Sequence, residues 1–123
     1  MFHPTTYQGT LEEKYETVLL QLKGLTSNET DLIANLSNAS ALLNQFLENI
    51  NWVGFYLVKE NEPVLGPFQG LPACIRIPFT KGVCGHAATT KETVIVKNVH
   101  EFPGHIACDG ATNSEIVIPI VKD

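Results

Sequence analysis

The chain has little positive charge and no stretch apolar enough to cross a membrane. Its 123 residues include eight lysines and arginines, scattered singly, against 13 aspartates and glutamates. Because a protein that binds nucleic acid normally presents a basic patch, this composition argues against a nucleic-acid partner. No apolar run approaches the roughly 20 residues that a membrane helix needs. The N-terminus lacks the basic and apolar regions of a secretory signal, so a cytoplasmic location is expected.

Cysteine is scarce and forms no short paired motif. Cys74, Cys84 and Cys108 are too few, and odd in number, for a disulfide scaffold. In a reducing compartment such residues are buried packing residues, metal ligands or redox-active thiols. A zinc site that adds His105 to the three cysteines is one alternative, although no Cys-x-x-Cys pair supports it. The residues by themselves leave these interpretations open.

Two features favour reactive thiols. Cys84 lies beside glycines at the expected start of a helix, where the helix dipole favours a thiolate. Cys108 lies in a loop whose next residues, 109–114, are small or polar, so it is poorly placed as core, and Glu115 ends that loop. Two approachable thiols in one small domain suggest a nucleophile and a partner that captures its sulfenic acid as a disulfide.

The first fifty residues predict two helices that serve for packing. A capping box at Thr10 and Glu13 begins the first helix, and Gly24 is expected to end it. An apolar stripe predicts the second helix from about Glu29 to Glu48. Serines and asparagines weaken its middle and allow a kink there.

From residue 51 onward the apolar pattern becomes that of strands. We expect strands at 51–59, 63–69, 74–79, 91–97 and 116–120 and a short helix within 81–90. The segment 116–120 is apolar at almost every position, which is typical of a strand covered on both faces. Helices followed by several strands predict an α+β domain, in which helices pack on an antiparallel sheet.

Six short motifs lie in order between residues 52 and 119. They are Trp52-Val-Gly-Phe-Tyr56, Val64-Leu-Gly-Pro-Phe-Gln-Gly70, Cys74-x-Arg76-Ile-Pro78, Gly82-Val-Cys84-Gly85, Gly104-His-Ile-Ala-Cys108-Asp109 and Asn113-Ser-Glu115-Ile-Val-x-Pro119. Together they resemble the free methionine-(R)-sulfoxide reductase family, whose members are stand-alone GAF domains. The resemblance implies one GAF-like domain over 1–123, with a two-helix lead in 1–50 and the sheet and active-site loops in 51–121.

The resemblance also implies roles for the three cysteines. Cys108 would be the nucleophile that attacks the sulfoxide sulfur, and Cys74 would resolve the resulting sulfenic acid. Cys84 would be a second resolving or recycling thiol. The implied cycle needs no bound cofactor or metal, and thioredoxin, driven by NADPH, would supply the electrons. An enzyme of this kind would repair oxidised free methionine during oxidative stress.

Four further residues are implied to form the substrate pocket. Glu115 would hold the substrate and protonate the sulfoxide oxygen, and Asp109 would meet the substrate ammonium with it. Trp52 and Tyr56 would form an aromatic wall for the S-methyl group, so that only one sulfoxide epimer aims its oxygen at the acid. For Trp52, plain packing on a central strand is an equal alternative.

Family members continue past the equivalent of Asp123 into a strand with an Asp-x-Asp pair and a closing helix, which this sequence does not contain. We therefore expect the 123-residue chain alone to be marginally stable, slow in turnover and prone to self-pairing through the edge of 116–120. A second copy of the chain is thus a candidate partner. The alternative functions are a GAF domain that senses a small molecule without chemistry and a redox-sensing module.

Overall fold

The computed structural model describes residues 2–3, 6–79, 81–104 and 113–122. Its elements are α1 (Leu11–Thr26), α2 (Leu32–Phe46), β1 (Trp52–Lys59), β2 (Glu62–Gly70), α3 (Gly82–Thr90), β3 (Val94–Val96), a 3-10 turn (Val99–Glu101) and β4 (Glu115–Val117). The chain divides into two compact units, residues 1–54 with 67–69 and residues 55–66 with 70–123. Helices combined with antiparallel strands confirm the α+β class.

Helix α1 begins at the predicted capping box. The Thr10 hydroxyl accepts a hydrogen bond from the Glu13 amide, and the Glu13 carboxylate accepts one from the Thr10 amide, both at 3.2 Å. The predicted end at Gly24 is wrong, because the helix continues to Thr26. A glycine with helical dihedrals costs a helix only about 1 kcal/mol relative to alanine, which does not suffice to stop it.

Helix α2 is shorter than predicted and runs unbroken through its polar middle. Asp31 caps it by accepting a hydrogen bond from the Ala34 amide at 2.9 Å. Ser40, expected to weaken the helix, is fully buried. Its hydroxyl lies 2.9 Å from the Leu36 carbonyl and 3.2 Å from the Pro67 carbonyl, so burial leaves it hydrogen-bonded.

The first unit is built on contact between α1 and α2. Its buried apolar residues are Val18, Ala39 and Leu42. The Tyr15 ring meets the Phe46 ring edge-on, with centroids 5.1 Å apart. Other apolar residues of the two helices are exposed to solvent, namely Leu11, Leu19, Leu32 and Ile33. The apolar pattern therefore predicted the helices correctly but overestimated how much of each is core.

Strands β1 and β2 form a hairpin. Glu60 and Asn61 connect them, both with left-handed backbone (φ 50° and 67°), as a tight turn between antiparallel strands requires. Although β2 contains Pro63 and Pro67, it pairs with β1 along the hairpin.

The predicted strand at 74–79 is wrong. Only Arg76 pairs with β2, through an isolated bridge to Val64. The bridge consists of Leu65 N donating to Ile75 O at 2.7 Å and Ile77 N donating to Pro63 O at 3.0 Å. Pro78 follows directly, and because proline has no amide hydrogen it cannot extend the ladder.

In the second unit α3 packs against β3 and β4. These strands are antiparallel in the register Val94↔Val117, Ile95↔Ile116 and Val96↔Glu115. The buried apolar residues here are Ile77, Val83, Ala87 and Val99. None of the helices in the described part of the chain is long and apolar enough to span a bilayer.

The last two predicted strands are shorter than expected. Lys91 adopts a left-handed conformation (φ 58°) to close α3, so β3 begins only at Val94. Strand β4 ends at Val117, and Ile116, Ile118 and Ile120 are 57%, 62% and 80% exposed. The expectation that 116–120 is covered on both faces is therefore wrong, because no layer within the described ranges lies over the outer face.

Gly85 fixes how closely α3 approaches the segment before it. A Cβ at this position would lie 2.5 Å from the Pro78 carbonyl oxygen and 2.8 Å from that of Phe79. Because both obstacles are backbone, we expect Gly85→Ala to lower the free energy of unfolding by about 1–3 kcal/mol.

Gly24→Ala is the matched control for this prediction. A Cβ at Gly24 would meet nothing within 4 Å, so the same substitution in α1 should stabilise by about 0.5–1 kcal/mol. Urea unfolding of both variants measures the difference. A Gly85→Ala protein as stable as the unsubstituted chain would show that this contact does not position α3.

Candidate functional site

Three predicted site residues meet in the second unit. Tyr56 comes from β1, Cys84 from the first turn of α3, and Glu115 begins β4. Packing of α3 against β4 brings the last two together. The negative charge of Glu115 raises the pKa of both Cys84 and Tyr56. We call Tyr56, Cys84 and Glu115 the thiol–carboxylate cluster.

Cys84 has a free thiol that the fold keeps neutral. Burial raises its pKa to about 11, and the charge of Glu115 acts in the same direction. The expectation of a thiolate favoured by the helix dipole is therefore wrong. Cys84 does lie in the first turn of α3, but loss of hydration and a neighbouring negative charge outweigh the partial charge of one short helix.

The Tyr56 hydroxyl is directed at the backbone of another cysteine. It donates a hydrogen bond of 2.6 Å to the carbonyl oxygen of Cys74. Burial, followed by the neighbouring Cys84 and Glu115, raises the pKa of Tyr56 to about 12. The hydroxyl therefore keeps its proton, and can donate it, throughout the physiological pH range.

Cys74 lies in the irregular segment between β2 and the bridge at Arg76. It is disulfide-bonded, in contrast to the free Cys84. Through Tyr56, Cys74 is connected to the thiol–carboxylate cluster. Tyr56 is thus related to two of the three predicted redox cysteines, to Cys74 by its hydrogen bond and to Cys84 by charge.

Trp52 belongs to the first unit, where its indole stacks on the Phe68 ring with centroids 5.3 Å apart and planes inclined by 16°. Gly54 makes room for this pair, since a Cβ there would lie 2.3 Å from Cβ of Phe68. These contacts are those of a packing residue. The other predicted site residues, Cys108 and Asp109, lie outside the described residues.

The zinc alternative also involves residues of that segment, His105 and Cys108. Among the residues that the structure describes, no group of three or more histidines, cysteines, aspartates or glutamates could hold a metal ion.

A groove that the sequence did not point to lies along another face of α3. Its volume is about 510 Å³, and it is lined by Phe79, Gly82, His86, Thr89, Phe102 and Pro103. The imidazole of His86 meets the Phe102 ring edge-on at 5.9 Å. Cys84 and His86 are two positions apart, and each residue turns the helix by about 100°, so the two side chains lie on nearly opposite faces of α3. The groove is therefore separate from the thiol–carboxylate cluster.

Removing the charge of Glu115 should make Cys84 easier to ionise. Because that carboxylate raises the pKa of Cys84, we expect Glu115→Gln to shift the alkylation rate of Cys84 by iodoacetamide to lower pH. Each unit of pKa changes the thiolate fraction about tenfold below the pKa. Glu92→Gln, an exposed carboxylate beyond α3, is the control. Superimposable profiles for Glu115→Gln and the unsubstituted chain would disprove the coupling.

Several proteins of known name are similar to this chain, although no family model matches it. A protein of Saccharomyces cerevisiae named free methionine-R-sulfoxide reductase is 51% identical over 119 residues, which cover 91% of this chain and 66% of the yeast protein. The structure of free methionine-R-sulfoxide reductase from Neisseria meningitidis in complex with its substrate is 43% identical with a TM-score of 0.91, covering 99% of this chain and 74% of that one.

A third similar structure carries the name of the fold. It is described as the GAF domain, is 48% identical with a TM-score of 0.92, and is matched over 99% of this chain and 76% of its own length. The expected GAF-like fold is thereby confirmed. This chain spans about two thirds of the yeast relative and about three quarters of the two solved structures.

Proposed function

This chain belongs to the free methionine-R-sulfoxide reductase family, and on that premise we propose that it reduces free L-methionine (R)-sulfoxide to L-methionine with its own thiols. The observation that carries the proposal is the thiol–carboxylate cluster, connected through the Tyr56 hydroxyl to the disulfide-forming Cys74. Sulfoxide reduction needs thiols and a proton source in one place, and these residues supply both.

The proposed reaction balances over two steps. The thiolate of Cys108 attacks the sulfoxide sulfur, oxygen takes a proton, and methionine leaves while Cys108 becomes a sulfenic acid. The thiol of Cys74 then displaces hydroxide, which leaves as water with a proton, and a Cys74–Cys108 disulfide forms. In sum, one sulfoxide and two thiols give one methionine, one disulfide and one water.

The charge states of the cysteines support Cys74 as the resolving thiol. With a pKa of about 11, Cys84 is ionised in only roughly one molecule in 10⁴ at pH 7. Capture of a sulfenic acid requires a thiolate, so Cys84 is slow in that role. That Cys74 is disulfide-bonded while Cys84 is free agrees with this assignment. Cys84 would serve later in the cycle, as a recycling thiol.

The carboxylate and the aromatic residues would select the substrate. Glu115 is half-buried at the start of β4, where it would bind the substrate and pass a proton to the sulfoxide oxygen. Asp109 would face the substrate ammonium. Among the aromatic residues, the ring of Tyr56 would form an apolar wall for the S-methyl group, which would aim the oxygen of the R epimer, and not of the S epimer, at the acid.

An external dithiol must close the cycle, because the chain's own thiols support one turnover only. Thioredoxin is the proposed donor. Its attacking thiolate would open the Cys74–Cys108 disulfide through a mixed disulfide, and its second thiol would release the reduced chain.

Thioredoxin-coupled consumption of NADPH tests the proposed function. The R epimer of free methionine sulfoxide should be turned over, whereas the S epimer and a peptide containing methionine sulfoxide should not. Omitting thioredoxin should abolish the consumption of NADPH and limit methionine to one equivalent per chain, because the electrons then come only from the chain's own thiols. A folded chain that binds the R epimer but leaves its thiols reduced would instead be a small-molecule sensor.

A further inference from the structure

The hydrogen bond from Tyr56 to Cys74 joins residues that are 18 positions apart in the chain, at 2.6 Å. The tyrosine ring is half-buried on a regular strand, whereas Cys74 lies in a segment without regular structure. A rigid donor thus holds the backbone of a disulfide-forming residue. An aromatic wall for the substrate would need only the ring, so the hydroxyl requires a separate explanation.

The residue that follows Cys74 is held as well. Ile75 O accepts a hydrogen bond from Leu65 N at 2.7 Å, as part of the bridge to β2. The carbonyl of Cys74 and the carbonyl of Ile75 are therefore both fixed by β-hairpin residues. Two consecutive carbonyls determine the direction of the chain, and with it the position from which the Cys74 side chain departs.

Disulfide formation is sensitive to the position of the cysteine backbone. A disulfide forms without strain only when the two Cα atoms lie about 4.4–6.8 Å apart and the side chains converge. Fixing the backbone of one cysteine in advance lowers the entropy lost when the bond forms, which favours both the rate and the equilibrium of closure. The hydrogen bond is present with Cys74 oxidised, so it stabilises that state directly.

We propose that Tyr56 is a positioning residue for Cys74, and that its hydroxyl holds the backbone from which the disulfide is made. The role of this disulfide in turnover rests on the proposed function. Tyr56 itself loses no atom and no proton in the step. The Cys74 thiol and the sulfenic acid form the disulfide and water, and the tyrosine hydroxyl takes no part in this exchange of atoms.

The raised pKa of Tyr56 is consistent with this role. With a pKa of about 12, the hydroxyl remains a donor over the whole pH range in which thiols exchange with disulfides. The neighbouring Cys84 and Glu115 thus help to keep the Tyr56 hydroxyl protonated, as a donor to the Cys74 carbonyl must be.

Tyr56→Phe removes the hydroxyl and keeps the ring. The variant and the unsubstituted chain are equilibrated with mixtures of reduced and oxidised dithiothreitol, and the oxidised fraction of Cys74 is read by alkylation and peptide mass. Because one hydrogen bond is involved, we expect the equilibrium constant to move toward the dithiol by about three- to tenfold. After one equivalent of sulfoxide, trapping of sulfenic acid by dimedone should increase by a similar factor.

Tyr15→Phe is the matched control, since it removes a tyrosine hydroxyl from α1 in the first unit. It should leave the dithiothreitol equilibrium unchanged, whatever its effect on the unfolding midpoint. An equilibrium constant for Tyr56→Phe equal to that of the unsubstituted chain would overturn the proposal. The dithiothreitol measurement uses no sulfoxide, so it decides the role of Tyr56 even if the chain proves unable to reduce methionine sulfoxide.

Discussion

Cys108→Ser is expected to abolish the formation of methionine, including the first turnover. In the proposed reaction the Cys108 sulfur is the nucleophile and takes up the sulfoxide oxygen as a sulfenic acid, and serine cannot accept that oxygen. Mixing each protein with one equivalent of the R sulfoxide, in the absence of any reductant, should give one methionine per unsubstituted chain and none per Cys108→Ser chain. Far-ultraviolet circular dichroism should show the same fold in both.

Cys84→Ser is the control for that experiment. Cys84 is held as a neutral thiol beside Glu115, so the variant should still form methionine in the first turnover. If Cys108→Ser gives the first turnover and Cys84→Ser does not, the nucleophile is Cys84. The carboxylate next to it would then assist the thiol directly.

Cys74→Ser should separate the first turnover from the cycle. The variant keeps the proposed nucleophile, so one methionine per chain should still form. Without the resolving thiol, the sulfenic acid has no fast intramolecular partner, and steady turnover with thioredoxin should fall by at least about tenfold. Dimedone should label the sulfenic acid much more strongly in this variant than in the unsubstituted chain.

Peptide mapping provides the complementary result. After one equivalent of sulfoxide, the unsubstituted chain should contain a Cys74–Cys108 disulfide. A disulfide found only between Cys84 and Cys108 would exchange the roles of Cys74 and Cys84.

Elements specified by neighbouring residues were predictable from the sequence. The capping box at Thr10 acts within one turn, and the change to strand periodicity correctly located β1 at Trp52–Lys59. The glycine-led helix α3 also formed where it was expected. In each case the signal and the structure that it specifies lie within about ten residues of each other, so local propensity decides the outcome.

Features that depend on packing were not predictable in the same way. The polar Ser40 is buried because a carbonyl from β2 lies beside it. The segment 74–79 is apolar enough for a strand, but Pro78 cannot extend the ladder and only one bridge forms. Trp52 fitted a pocket wall and a packing residue equally well by sequence, and only its stacking on Phe68 identifies a packing contact.

In the candidate site, too, the residues could be identified from the sequence, whereas the properties that depend on packing could not. The sequence identified Tyr56, Cys84 and Glu115 as separate motif residues, and the resemblance to a known family supplied their roles. Neither the sequence nor the resemblance could reveal that burial would keep the Cys84 thiol neutral, contrary to the expected thiolate. The hydrogen bond from Tyr56 to Cys74 was equally hidden, since it joins a side chain to a backbone atom brought near by the fold.

Stoichiometry under single-turnover conditions tests the central claim most directly. The fully reduced chain is mixed with excess methionine (R)-sulfoxide without any reductant, and methionine and free thiols are counted in the same sample. We predict one methionine formed and two thiols lost per chain, with Cys84 still open to alkylation after denaturation. No methionine from the R epimer, or methionine formed with all three thiols intact, would contradict the account.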